Sequence, residues 1–257
     1  MTEMTKYAPG TPSWVDIGVP DIAAAAAFYS GLFGWECVDQ GEEAGHYTMC
    51  ELGGKPVAAI GPTMNPGPPM WTTYFTVDDA DKTAGLISEA GGTVIVAPMD
   101  VMDVGRMAVA FDPSGAAFSI WQPRAHIGAQ IVNEPNTLCW NELNTRDVDA
   151  ALAFYESVFG LTANRTTEYN ELALDGRAIA GCMAMPAEVP ADVPSYWLVY
   201  FAVEDCDAAV NRATGLGATV LVPAMDIDGV GRFAVLADNL GATFAVIRMT
   251  MTDDSIR

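Results

Sequence analysis

The chain has 257 residues, 33 of them acidic and 12 basic, for a net charge of −21 at pH 7. That balance excludes nucleic acid and anionic membrane surfaces as partners, because both are held through clusters of Lys and Arg. Hydrophobic residues make up 51% of the chain, enough for a real core, yet no apolar run approaches the ~18 residues of a membrane span and MTEMTKYAPG is no signal peptide, so a cytoplasmic protein is expected.

The alternating segment WVDIGV predicts a strand. A helix follows, N-capped by Asp21 and stopped by Gly34. Hairpin-like strands lead to a second strand-and-helix pair, TTYFTVDD and ADKTAGLISEAGG, and three more strands end in FDPSGAAFSIW. The series then starts again. Phe28 and Phe154, Tyr29 and Tyr155, Tyr74 and Tyr200, Arg106 and Arg232, and Asp112 and Asp238 are all separated by 126 positions, while ELGGKPVAAI and LALDGRAIAG pair at an offset of 122. This predicts two domains, 10–122 and 136–249, joined by a linker. Each has the order β-α-β-β-β twice, which is an α+β class with mixed sheets. The five cysteines form no CxxC pair and read as free thiols.

The DxxxAxxFYxxxFG-type helix, the VDDAD and VEDCD elements and the closing FDPSGAAFSIWQ strand resemble the vicinal oxygen chelate superfamily. That superfamily includes glyoxalases, bleomycin-resistance proteins and extradiol dioxygenases. The resemblance covers nearly the whole chain in two copies. It is similar in layout to tandem actinobacterial glyoxalase-like proteins labelled hydroxylases, found among antibiotic tailoring genes. It implies that each domain pairs two βαβββ modules into an open, curved mixed sheet. In metal-using members it also implies three ligand positions per domain. Counting places these on Trp14, Thr72 and Ser119, and on Trp140, Leu198 and Ala245. None is a standard ligand of a divalent cation. His46 falls in a loop or at a strand start, and His126 in the linker. No metal and no other cofactor is therefore expected.

Strand alternation predicts what shares the concave face with those positions. Asp16 and Glu142 are candidate proton-transfer groups, and Tyr74 and Tyr200 candidate hydrogen-bond donors. Trp14, Trp140, Trp121, Thr72, Ser119 and Asn144 are candidate substrate contacts, joined by Arg106 and Arg232 if strand parity holds. Each reading has a plainer counterpart. The carboxylates and arginines could be structural ion pairs, and the indoles could plug the old metal site. Met64, Met70, Met99, Met102 and Met225 are filler or an adaptable wall. The expected function is a metal-independent tailoring enzyme, hydroxylase-like or acid–base, acting on a small aromatic or polyketide-like ligand. The alternatives are a drug-binding protein without turnover, whose acidic surface would favour a basic ligand, and a metal-dependent glyoxalase or extradiol dioxygenase, disfavoured by the vacant ligand positions. A monomer or homodimer fits either.

Overall fold

A computed structural model of the chain describes residues 3–63, 67–166, 169–187 and 189–250. The N-terminal half runs β1 (Pro12–Val19), α1 (Ile22–Phe33), β2 (Glu36–Asp39), β3 (Thr48–Leu52), β4 (Lys55–Pro62), β5 (Met70–Thr76), α2 (Ala80–Glu89), β6 (Thr93–Val101), β7 (Gly105–Phe111) and β8 (Ala117–Pro123). The C-terminal half repeats it with β9 (Leu138–Thr145), α3 (Val148–Phe159), β10 (Thr162–Arg165), β11 (Asn170–Leu174), β12 (Arg177–Ala184), β13 (Tyr196–Ala202), α4 (Cys206–Gly215), β14 (Thr219–Ile227), β15 (Gly231–Ala237) and β16 (Thr243–Met249). Asp21 and Asp147 cap α1 and α3, accepting from the amides of Ala24 and Ala150. Gly34 and Gly160 end the same helices in the left-handed region, at φ 74° and 69°.

Each half forms one eight-stranded sheet, in the order β2-β3-β4-β1-β5-β8-β7-β6 and its C-terminal equivalent. The sheets are mixed because β1 runs parallel to β4 and β5 parallel to β8, with the corresponding pairs in the second half. The α+β class with doubled βαβββ modules is thus observed. Among the described residues, no helix is long and apolar enough to cross a membrane.

Sequence reading does not reveal how the halves share their cores. The helix-bearing face of the first module packs on the last module of the other half. Phe28, Leu32, Phe33 and Trp35 share one core with Phe201, Leu236 and Phe244, and the Phe33 and Phe201 ring centroids lie 5.0 Å apart. The second core joins Phe75, Ile87 and Phe118 to Leu152, Phe154, Tyr155 and Val158. Helices follow the same exchange, α1 beside α4 and α2 beside α3.

A buried polar relay fixes each exchange. Trp71 donates its indole N–H to the Tyr29 hydroxyl, which donates to Asp238 in the other half at 2.9 Å. Trp197, Tyr155 and Asp112 repeat the relay. Asp112 also accepts from the amides of Ser114 and Ala116, which explains the aspartate that opens the turn in each repeat. Tyr155→Phe removes a donor to a buried carboxylate and strands the Trp197 N–H. We expect a loss of about 3 kcal/mol, read as a lower urea midpoint at unchanged m-value.

The segment between the sheets is built into the first half rather than suspended between domains. The Ala129 amide donates to the Ser13 carbonyl, the Gln130 amide to that of Pro56, and the Tyr7 hydroxyl to that of Ala129. Gly128 has to be glycine: its φ is 106°, and a Cβ would strike the Ser13 carbonyl oxygen.

Candidate functional site

The face of each sheet opposite its helices is a cup, and its chemistry starts from strand alternation. In the N-terminal half, Trp14, Tyr74, Trp121, Ala59 and Ala129 form one cluster, flanked by Tyr47, Met49 and Met107. Asp16 lies opposite Thr72 on β5 and Ala59 on β4, so its carboxylate enters the same cup. Its Oδ2 accepts from the Tyr74 hydroxyl at 2.7 Å and from the Tyr47 hydroxyl at 3.0 Å, and the Tyr47 hydroxyl in turn accepts from the Trp14 indole N–H at 3.0 Å. Burial raises the Asp16 carboxyl to about 6, against the pull of these hydroxyls and that of Thr72. Burial and the adjacent carboxylate hold both tyrosines well above the usual phenol range, so they remain donors.

The linker closes one end of this cup. The His126 ring meets Trp14 edge-on at 4.5 Å and Trp121 at 5.7 Å, and the Trp121 indole donates to the His126 carbonyl at 2.8 Å. Trp121 lies across Gly105, where any side chain would overlap its ring. The His126 Nε2 has no hydrogen-bond partner among the described residues, while the Ser119 hydroxyl, opposite Tyr74 in the β5–β8 ladder, interacts with the Tyr74 phenol. Burial holds the imidazole neutral, lowering it to about 4.

The C-terminal cup keeps the frame and loses the loose ends. Glu142 Oε1 accepts from the Tyr200 hydroxyl and the Asn144 amide, both at 3.1 Å, and Trp140 donates to the Tyr169 hydroxyl at 2.8 Å. Burial raises the Glu142 carboxyl above its ordinary range, opposed by Asn144, Tyr200 and Tyr169. Around it stand Leu198, Ala245 and Ile247, where the first cup has Thr72, Ser119 and Trp121. Gly181 makes room for Tyr169, whose hydroxyl a side chain there would overlap.

Asp16, Tyr74, Trp14, Trp121, Thr72 and Ser119 are therefore together in one cup, and Glu142, Tyr200, Trp140 and Asn144 in the other. Arg106 and Arg232 are not in either, which corrects the parity assumed for them. On β7 it is Met107 that joins the cup, so Arg106 points to the helix side and pairs with Asp81 of α2 at 2.8 Å and Asp100 at 3.2 Å. Arg232 does the same with Asp207 and Asp226. Met70, Met99, Met102 and Met225 are exposed; Met99 lies opposite Met107 and Met225 opposite Phe233 at the outer strands of the two cups, and Met64 lies outside the described residues. Tyr47 and Tyr169 escaped the sequence reading, although they match at the 122 offset of the slipped segment.

The metal question turns on the donors present. At the positions where the resemblance implies ligands stand an indole, two hydroxyls, a second indole, an isobutyl and a methyl group. Each cup has one carboxylate, already engaged by hydroxyl or amide donors. No group of three His, Cys, Asp or Glu able to hold a cation occurs among the described residues. These residues do not fit a divalent metal site.

A doubled βαβββ sheet with an inward cup defines a class of fold, and comparison with known proteins gives it a name. The model of the Glyoxalase/Bleomycin resistance protein/Dioxygenase superfamily matches residues 11–120 and 127–246, and the chain belongs to that superfamily. CFP32 of Mycobacterium tuberculosis (strain CDC 1551 / Oshkosh) is 44% identical over 96% of this chain and 98% of its own length. The anthracycline biosynthesis protein DnrV of Streptomyces peucetius is 40% identical, covering 96% of both chains. Among solved structures, the Mn(II)-bound glyoxalase of Novosphingobium aromaticivorans superposes with a TM-score of 0.68 at 16% identity, over 96% of this chain and 84% of that one. The 2,3-dioxygenase LapB of Pseudomonas sp. KL28 gives 0.65 at 12% identity, over 100% and 97%. At such identities the likeness is one of fold.

Proposed function

We propose that the N-terminal cup binds a small, flat, hydroxylated aromatic molecule and acts on it by metal-independent acid–base chemistry in secondary metabolism. The observation that carries this reading is the half-buried Asp16 carboxylate. It is held by two tyrosine hydroxyls beside an indole, and the His126 Nε2 near the same indole has no partner among the described residues. Buried polar atoms are almost always paired, and an orphan nitrogen in an aromatic cluster is a group that a bound polar ligand would satisfy. Trp14 and Trp121, buried beside Tyr74, make this end of the cup aromatic and apolar. A carboxyl at about 6 is ionised at neutral pH yet close enough to its pKa to exchange a proton efficiently, and Tyr74 and Tyr47 can steady either protonation state. The relationship to anthracycline biosynthesis proteins supports an aromatic polyketide as the substrate class. The C-terminal cup, whose carboxylate is bonded to Tyr200 and Asn144 and which has Leu198, Ala245 and Ile247 in place of Thr72, Ser119 and Trp121, is read as the supporting copy.

The test is to titrate the protein with a hydroxylated anthraquinone, following tryptophan fluorescence, and to incubate catalytic amounts with it for product detection by mass spectrometry. Saturable binding at one site, with product exceeding the enzyme supplied, is expected. Tyr74→Phe should weaken binding or turnover roughly tenfold or more, the scale of losing a hydrogen bond to a charged group. Tyr200→Phe should leave both near wild type. Stoichiometric binding with no product in excess would replace the enzyme reading by sequestration, and saturation at two equal sites would overturn the assignment to one cup.

A further inference from the structure

The other face of the first sheet holds a pair of groups that the cup does not use. Cys37 on β2 and Cys50 on β3 are directly opposed in the antiparallel ladder, with their sulfur atoms 3.0 Å apart. Directly opposed residues have Cα atoms about 4.5–5.5 Å apart, inside the range of about 4.4–6.8 Å that a disulfide spans. Oxidation would therefore require no rearrangement of backbone. Both side chains lie on the helix side, whereas Met49 beside Cys50 faces the cup, so this site is separate from the ligand site.

The two sulfurs differ in access. Cys50 is fully buried under α1, while Cys37 is partly exposed and lines an open groove of about 610 Å³ with Asp21, Asp39, His46 and Thr48. Ser30 donates its hydroxyl to the Cys37 sulfur at 3.6 Å. The Cys50 thiol and this hydroxyl pull the Cys37 thiol below its ordinary range, against its burial, while the hydrogen bond to Cys37 and burial hold Cys50 protonated. One sulfur is thus reachable and activated, and the other is held in reserve behind it.

The duplication supplies an internal control. At offsets of 126 and 122 the equivalent positions are Ala163 and Leu172, which face each other in the β10–β11 ladder. The ladder itself therefore has no need of sulfur, and the cysteine pair belongs to the first half alone.

We propose that Cys37 and Cys50 form a reversible peroxide-reactive dithiol. The Cys37 thiolate attacks one oxygen of hydrogen peroxide, forming an S–O bond and breaking O–O, and the departing hydroxide takes a proton to become water. The Cys50 sulfur then attacks Cys37, the S–S bond forms, and the sulfenic hydroxyl leaves as water with the Cys50 proton. Two thiols lose two electrons and one peroxide becomes two waters. Oxidising Cys37 also removes the negative charge and hydrogen bond that kept Cys50 protonated. The carboxylates of Asp21 and Asp39 at the groove favour a neutral oxidant over an anionic one such as glutathione disulfide.

The experiment uses the full chain, reduced, freed of reductant and treated with a slight excess of hydrogen peroxide. Intact mass, thiol counting and non-reducing peptide mapping are the readouts. We expect a species lighter by two hydrogen masses, a fall from five titratable thiols to three, a mapped Cys37–Cys50 link, and recovery with dithiothreitol. Cys37→Ser should abolish the link, and Cys50→Ala should leave a sulfenic acid at Cys37 that dimedone captures. Retention of five thiols, a link between other cysteines, or equal reactivity of Cys37→Ser would overturn the proposal. Slower oxidation by hydrogen peroxide than by glutathione disulfide would overturn the choice of oxidant.

Discussion

Cut at Glu134 and expressed as two fragments, the chain is expected to give no folded monomer from either piece. The reason is the exchange of core faces. Phe28, Tyr29, Leu32 and Phe33 of α1 are each at most 2% exposed, and their partners Phe201, Leu236 and Phe244 all come from the C-terminal half. A buried side chain of this size is worth about 1.5–3 kcal/mol, so four of them amount to much of the about 5–15 kcal/mol that holds a typical domain together. The mirrored core around Phe75, Phe118 and Tyr155 would be lost as well. A fragment has one escape. Asp112 stands 126 positions before Asp238, so two copies of the N-terminal fragment could pair with Tyr29 of one copy donating to Asp112 of the other. Sedimentation and thermal circular dichroism distinguish the outcomes. Unfolded fragments, or dimers that melt cooperatively, agree with a shared core. A monomeric fragment that melts cooperatively would show that each half is sufficient by itself.

The same exchange marks what could and could not be read from the sequence. The repeat, the element order and the capping aspartates were legible because they are local: a cap, a stop glycine and an alternating strand depend on neighbours in the chain. The role of Tyr29 and Tyr155 was not, since each hydroxyl meets its aspartate across the two halves, at sequence separations of 209 and 43. Alternation placed Asp16, Tyr74, Trp14 and their counterparts in the cups, because β1, β5 and β8 hold strict register at those positions. It failed for Arg106 and Arg232. The unbroken ladder of β7 on β8 sets Met107 opposite Trp121 and Arg106 opposite Gln122, so the cup takes the methionine, and that strand pairing has no signature in the local sequence. The duplicated acids Asp81 and Asp207 were the missed signal: an arginine and an aspartate that repeat together are partners. Tyr47 and Tyr169 were hidden by the change of offset, and His126 by lying in a segment read as a connector. A linker that folds back onto a strand is a tertiary fact without a local signature.

Replacing Asp16 by Asn is expected to stabilise the protein at neutral and alkaline pH while disabling the cup. The folded carboxyl titrates at about 6, and an unfolded aspartate near 3.9. Between those values the folded state holds a proton that the unfolded state has released, so stability falls as pH rises through the window. The sign follows from the raised pKa: the favourable contribution is complete below about pH 4 and gone above about pH 7. A shift of this size corresponds to about 3 kcal/mol, the cost of keeping a charge in the cup. Urea unfolding of the variant and the wild type across pH 4–8 isolates this group, since the other acidic residues are common to both. The stability difference should be small at the acid end and grow to about 3 kcal/mol in favour of Asn at pH 8, with loss of anthraquinone binding or turnover. A variant that is less stable than wild type at pH 8 would mean that the Tyr47 and Tyr74 hydrogen bonds outweigh burial, leaving Asp16 an anchor for two tyrosines. The expected result has the opposite meaning. A side chain that weakens the fold at neutral pH, with two tyrosines arranged around it, fits a group kept for the ligand role proposed for the cup rather than for stability.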